Sequence, residues 1–307
     1  SYNFHDLDVL GFGPVARQSS DMFDNFWNST WVVPAAELPA SISAEESQKR
    51  YERMLGSLEA SDRLEIFPVE PIDWSDQLYD LLPQLHFGSS EIVYDRLDDG
   101  ELVRGMADPL GAILRAAKHD IRLINAYIIP EQDFVDAIRT FVERGVEVRI
   151  LTNSLSSHDV PAVNSHYRKW RKPLIEAGAE LYEWRADPAI KPRVDTAPVQ
   201  SKFTGLHTKA FVVDGRHVFI GSMNFDPRSV DINTEMGIII DSAGLGRELQ
   251  RQADRDMAPE NAWRVMLDGE GRLFWVNSDE TVTRQPARNA WQRVMDALFK
   301  ILPKSQF

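Results

Sequence analysis

From about Ile92 onward the chain alternates between segments of helical period and short apolar runs, an order that predicts an open sheet covered by helices. Leu110 to Lys118 suits a helix and Ile121 to Ala126 a strand. Glu131 to Arg144 suits a second helix, closed by Gly145 in the left-handed position beyond its end. Val146, Val148 and Ile150 alternate with charged residues, which predicts a strand with one buried face. Ala162 to Ala177 is again helical and ended by Gly178, Glu180 to Trp184 is a short strand, and a loop rich in proline and polar residues spans about Ala186 to Thr204. The first part of the chain is less regular. Asp6 to Val15 reads as a strand, and Ser19 to Trp27 as a helix with serine and aspartate capping signals. Pro34 and Pro39 then punctuate the chain, and a polar helix from about Ser43 to Leu58 has the character of a connector. The chain contains no internal repeat and no low-complexity segment.

Composition narrows the chemistry. At 307 residues with 43% hydrophobic content, the chain is long enough for one large core or two smaller ones. The net charge of -13 disfavours sequence-independent attraction to a nucleic-acid backbone, which rewards lysine and arginine excess. Having no cysteine, the chain has no disulfide, thiolate nucleophile or cysteine-ligated metal. No run approaches the ~20 consecutive apolar residues of a membrane span, so membrane attachment through this segment is expected to be peripheral.

The most informative stretch runs from His207 to Asn224. Two apolar segments flank Asp214-Gly215, which predicts a hairpin with a two-residue turn at positive φ. His207 and Lys209 are two apart, so on an extended strand both emerge from one face and can meet one ligand. Gly221, Ser222 and Asn224 bring small donors beside them. A phosphodiester gains negative charge on its oxygens during displacement, and an ammonium with neutral donors stabilises that state. An imidazole can attack phosphorus or protonate the leaving alkoxide.

The spacing His-x-Lys-x4-Asp-x6-Gly-Ser-x-Asn over residues 207–224 resembles the defining motif of the phospholipase D superfamily, and Phe225 to Ser229 with Asn233 and Glu235 is similar to its bacterial cardiolipin synthase branch. Asn125 to Pro130, Arg144 to Val146, Leu151 to Ser154 and the terminal Ile301-Leu302-Pro303 agree with the resemblance. It implies a phospholipase D-like mixed α/β sheet flanked by helices on both faces. It also implies an active site shared by two such motifs, of which this chain carries one. Residues 1–75 then correspond to the C-terminal remnant of a first half plus a connector, and 76–307 to the second catalytic half with an amphipathic tail. By the same resemblance Asp6 orients His207, which acts as the acid for the leaving group, while Glu235 orients the histidine of the missing first motif. Lys209 and Asp214 complete the catalytic set, and Ser222, Asn224 and Tyr127 are candidates for holding the phosphate. For Asp214, a structural job in the turn outweighs chemistry.

Other features carry blander readings. His86, His119, His158, His166 and His217 share no ligand spacing and are assigned no metal. Tyr127 ends a strand where open sheets place ligands, yet it also reads as core. Asn153 and Ser154 are common turn residues. The basic cluster from His166 to Lys172 reads first as a solvated helix face and second as a contact for anionic headgroups. Trp291, Val294, Leu298 and Ile301 form one helical stripe, with Arg293 and Lys300 close by, suited to a membrane interface or to docking on the domain. Gly11-x-Gly13 is too short for a dinucleotide fingerprint, and the proline after it stands where a helix N-terminus would be needed.

The resulting expectation is a phosphatidyltransferase of the cardiolipin synthase type. It would need no cofactor or metal and would use phosphatidylglycerol or phosphatidylethanolamine at the bacterial cytoplasmic membrane. The alternatives are a phospholipase D-type phosphodiesterase with water as acceptor and a module that binds phosphate or lipid without turnover. A symmetric dimer bringing two His207 side chains together is the remaining rival.

Overall fold

The computed structural model describes residues 2–38, 42–60, 74–98, 100–195 and 199–299. Its strands are β1 (Tyr2–His5), β2 (Ser89–Tyr94), β3 (Arg96–Asp98), β4 (Glu101–Val103), β5 (Asp120–Asn125), β6 (Glu147–Asn153) and β7 (Glu180–Trp184). They continue with β8 (Phe203–Leu206), β9 (Lys209–Val213), β10 (His217–Gly221), β11 (Met236–Asp241), β12 (Ala262–Leu267), β13 (Leu273–Val276) and β14 (Thr281–Val282). Ten of them form one sheet in the order β14-β13-β12-β7-β6-β5-β9-β10-β11-β2, while β1 pairs with β8 and β3 with β4. β5, β6 and β7 run parallel because helices carry the chain back between them, and the other neighbours within the ten-stranded sheet are antiparallel.

Alternation within β9 explains the two-sided core. Phe211 and Val213 join a cluster with Leu110, Val135, Ile138 and Leu174, contributed by the helices Ala107–Arg115, Gln132–Glu143 and Arg171–Glu176. Ala210 and Val212 face the other way, towards Val15 of the helix Pro14–Trp27 and Leu249 of the helix Ala243–Asp256. A strand sealed on both faces has no polar alternation, which accounts for the unbroken apolar run. The mixed α/β sheet with helices on both faces is therefore the observed architecture.

The N-terminal stretch departs from its expected pattern. The strand is Tyr2–His5, parallel to β8, and residues 6–12 belong to no regular element. The helix begins at Pro14, five residues before the predicted Ser19, because Gly13 turns the chain at φ 85 and the fixed φ of proline suits a first helical position. The proline after Gly11-x-Gly13 therefore starts a helix rather than forbidding one. Ser19 bonds inside the helix, its hydroxyl donating to the Val15 carbonyl at 3.1 Å. Leu10 and Phe12, which suggested a buried strand face, are exposed. The polar helix is observed at Ala44–Glu59, and the loop after Ala186 contains the short helix Lys191–Val194 besides β8.

β1 is held by Asn3, whose amide donates to Asp195 Oδ1 at 2.9 Å. Desolvation works against ionisation of Asp195, but hydrogen bonds from Lys191, Asn3 and Ser201 outweigh it and hold the carboxyl well below its usual range. A carboxylate whose pKa drops on folding stabilises the fold fully above its unfolded value near 3.8, and the benefit fades as pH falls through the lower folded value. Asp195→Asn is expected to lower the melting temperature at neutral pH by about 2–4 °C and to reduce the difference from the native protein on acidification. Parallel melting curves for both proteins from neutral to strongly acidic pH would contradict this role.

The basic cluster from His166 to Lys172 is a solvated face only in part, at Lys169 and Lys172, which are exposed. Arg171 is buried, with Glu183, Asn164 and Gln285 around its guanidinium, and Arg168 donates to Asp296 at 2.9 Å. Asp296 and Gln292 are the buried side of the helix Ala290–Phe299, whereas Trp291, Val294 and Leu298 are exposed. The helix docks through its polar side and turns its apolar stripe outward. Ile301 of that stripe, the nearby Lys300 and the segment Ile301-Leu302-Pro303 lie outside the described residues.

Candidate active site

The site starts from the hairpin β9–β10. Asp214 and Gly215 have φ of 52 and 59, and the Arg216 N–H donates to the Val213 carbonyl at 3.0 Å. Val213 pairs with His217, so the loop holds one residue more than the expected two-residue turn. The Asp214 carboxylate accepts backbone N–H bonds from Lys118, His119 and Asp120. Burial opposes its ionisation, but these bonds keep its carboxyl below the usual range. At roughly 3.3 Å per residue, the four steps of β9 put Val213, the residue before Asp214, about 13 Å from Lys209. Asp214 anchors the start of β5 and lies outside the cavity where the other motif residues gather.

That cavity, about 1110 Å³, opens at the other end of the hairpin and is lined by Asp6, His207, Lys209, Ser222, Asn224 and Glu235. His207 arrives there because the β1–β8 pairing continues past both strands, with the His207 N–H donating to the His5 carbonyl at 2.8 Å. The next residue, Asp6, is thereby placed against the imidazole, with Nδ1 2.7 Å from Asp6 Oδ2. Desolvation raises the Asp6 pKa, but the hydrogen bonds from His207 and the Leu7 N–H, with the charges of His207 and Lys209, bring it below the usual value. An ionised Asp6 accepts only, so Nδ1 carries the proton and Nε2 is left for exchange.

Lys209 is buried, and its ammonium donates to the His207 carbonyl. Burial lowers its pKa, against the opposing pull of Asp6 and Glu235. The Ser222 hydroxyl donates to Glu235, and Asn233 donates to the other carboxylate oxygen at 3.1 Å. Asn224 Oδ1 is buried without a hydrogen-bond partner among the described residues. The two ends of that amide are interchangeable by rotation, so it can offer a ligand either an acceptor or a donor. Tyr127 does not line the cavity. Its hydroxyl donates to Asp159 at 2.8 Å and its ring stacks on His158, with burial and then the Asp159 charge pushing the phenol pKa up. Asn153 and Ser154 are buried within the bonds that fix the end of β6, including Asn153 to the Leu206 carbonyl at 2.7 Å.

Two parts of the site had no sequence signal. Asp95, buried just after β2, accepts the Glu235 N–H at 3.0 Å and the Gly105 N–H at 2.8 Å, which fixes the backbone beneath Glu235. The second part is an apolar wall of Val15, Ile92, Ile220 and Ile238, with Trp31 at the same cavity. A lone aspartate after an apolar strand has no distinguishing neighbours, and the wall residues come from four separate segments.

Residues 110–257 match the family described as "Cardiolipin synthase, PLD-like domain". Over 98% of its length the chain is 32% identical to cardiolipin synthase C of Escherichia coli (strain K12), and it spans 65% of that protein. It is 28% identical, over 60% of its length, to cardiolipin synthase A of Yersinia pseudotuberculosis, of which it covers 30%. The solved phosphatidylserine synthase of Haemophilus influenzae Rd KW20 overlays 79% of the chain and 53% of its own, at 13% identity and a TM-score of 0.49, and adds nothing to the assignment. The domain match covers the hairpin that carries His207 and Lys209, and the similarity to a cardiolipin synthase extends over nearly the whole chain, so residues 110–257 form a phospholipase D-like domain.

Proposed function

We propose that the chain supplies one half of a phosphatidyltransferase of the cardiolipin synthase type, which moves a phosphatidyl group between glycerophospholipids through a phosphohistidine. The observation that carries this reading is the contact of His207 with Asp6 at 2.7 Å, in a cavity that also presents Lys209. In the first step, a histidine of a second motif, supplied by the remainder of a longer protein, attacks phosphorus. The bond from phosphorus to the leaving glycerol or ethanolamine oxygen breaks, and His207 protonates that oxygen. In the second step, a lipid hydroxyl attacks phosphorus, His207 takes its proton and the nitrogen–phosphorus bond breaks. Lys209 and Asn224 offset the charge that grows on the phosphoryl oxygens. A polar floor beside an apolar wall suits an amphiphile, and the net charge of -13 argues against a nucleic acid.

Incubating the longer, two-motif protein with phosphatidylglycerol tests the reading. A diphosphatidyl product and acid-labile phosphate on histidine are expected. Phosphatidic acid as the sole product would make water the acceptor, and neither product would leave a binding module.

The same reading places the protein peripherally on the bacterial cytoplasmic membrane. Among the described residues no helix is long and apolar enough to cross a membrane. The outward stripe of Trp291, Val294 and Leu298 supports contact with the bilayer interface. Burying such a side chain is worth about 1.5–3 kcal/mol, so Trp291→Glu with Leu298→Glu is expected to weaken sedimentation with phosphatidylglycerol vesicles by at least about tenfold. Undiminished sedimentation would remove this helix from the interface.

A further inference from the structure

A second cavity, of about 570 Å³, lies between the helices Ala107–Arg115 and Gln132–Glu143 and is floored by β5 and β6. It falls within the roughly 300–1,000 Å³ of small-molecule pockets, which are mostly apolar with a few placed polar groups. Leu114, Phe134, Ala137 and Phe141 wall it, and at one end it reaches Met223 and Phe225, on either side of Asn224. The catalytic residues described above line the other cavity and not this one.

Its charge is opposite to that of the molecule. In a chain of net charge -13, no carboxylate lines this cavity, whereas two guanidinium groups do. Arg144 is committed, donating to the Arg115 and Ala117 carbonyls. The exposed guanidinium of Arg115 has no hydrogen-bond or ion-pair partner among the described residues. It folds back along its own helix over Gly111, where an added Cβ would meet Arg115 Nη1 at 2.8 Å, so the missing side chain is what lets the charge lie at the cavity wall. An apolar slot with one uncommitted cation at its wall matches a long hydrocarbon chain ending in a single negative charge.

We propose that this cavity binds one fatty acyl chain whose carboxylate meets Arg115. The site is separate from the catalytic cavity, and the proposal does not depend on the transferase reading.

The test is titration of the protein with a fluorescent long-chain fatty acid, displaced by palmitate. Saturable binding at one site is expected. It should weaken at least tenfold in Ala137→Trp, which fills the slot, and about tenfold in Arg115→Glu, an exposed position that leaves the core untouched. Lys209→Gln should bind as the native protein does. The proposal is overturned if palmitate fails to displace the probe or if Arg115→Glu binds undiminished. Loss of binding in Lys209→Gln together with full binding in Ala137→Trp would also overturn it, by placing the acid in the catalytic cavity. If Ala137→Trp does not fold, the Arg115→Glu result alone decides.

Discussion

His207→Ala is expected to slow phosphatidyl transfer by about 10²–10⁴-fold, the usual cost of removing a general acid or base. Both proposed steps route a proton through this imidazole, and among the described residues no other histidine lines the cavity. Asp6 holds the ring at 2.7 Å, and Lys209 is buried beside it. The measurement is conversion of labelled phosphatidylglycerol by the two-motif protein, with substrate binding followed separately. If His207 only bound the phosphate, the loss would fall on KM and leave kcat near its native value. Near-native turnover in His207→Ala would end the transferase proposal, because both steps assign the proton transfer to this imidazole.

The largest stability effect is expected at Arg171, a residue the catalytic reading does not use. Burial disfavours its charge, but Glu183 opposes that and keeps the guanidinium protonated. Its side chain lies over the rings of Tyr167 and Trp275, and Trp275 Nε1 donates to the second Glu183 oxygen at 2.9 Å. Breaking a buried ion pair from one side typically costs about 3–5 kcal/mol, since the surviving charge keeps its desolvation penalty without its partner. Arg171→Ala is therefore expected to lose about that much in urea unfolding. Exchanging both partners for apolar residues, Arg171→Met with Glu183→Leu, should recover part of the loss but not all, because the Trp275 indole would then lack an acceptor. A loss under about 1 kcal/mol in the single variant would mean that water enters and solvates Glu183. The same change should loosen the terminal helix, since Arg171 bonds Asn164 and Gln285, and both of these contact Asp296.

Much of the sheet could be read locally. Val148 and Ile150 alternating with charges, Gly145 and Gly178 after helices, and the apolar runs around Asp214-Gly215 each depend on residues a few positions apart. Such signals survive folding because backbone geometry and burial of one face act over that range. The spacing of His207 and Lys209 is of this kind, and both residues do open on one cavity. Local reading failed in the N-terminal stretch, where Gly13 and Pro14 start the helix before the expected Ser19. The apolar residues after Asp6 resemble a strand, but Leu10 and Phe12 are exposed.

Contacts across long separations were a different matter. Asp6 and His207 stand 201 residues apart and meet only because β1 runs parallel to β8, so family resemblance alone could anticipate the pair. Arg168 and Arg171 belong to the cluster that reads first as a solvated helix face, since a charged residue in a helix usually faces water. Arg171 and Asp296 are tolerated inside because Arg168, Glu183, Asn164 and Gln285 complete their bonds. That mutual satisfaction also turned the helix Ala290–Phe299 over, polar side in. Periodicity along the chain specifies which residues share a face, and it carries no information about which face another element will cover.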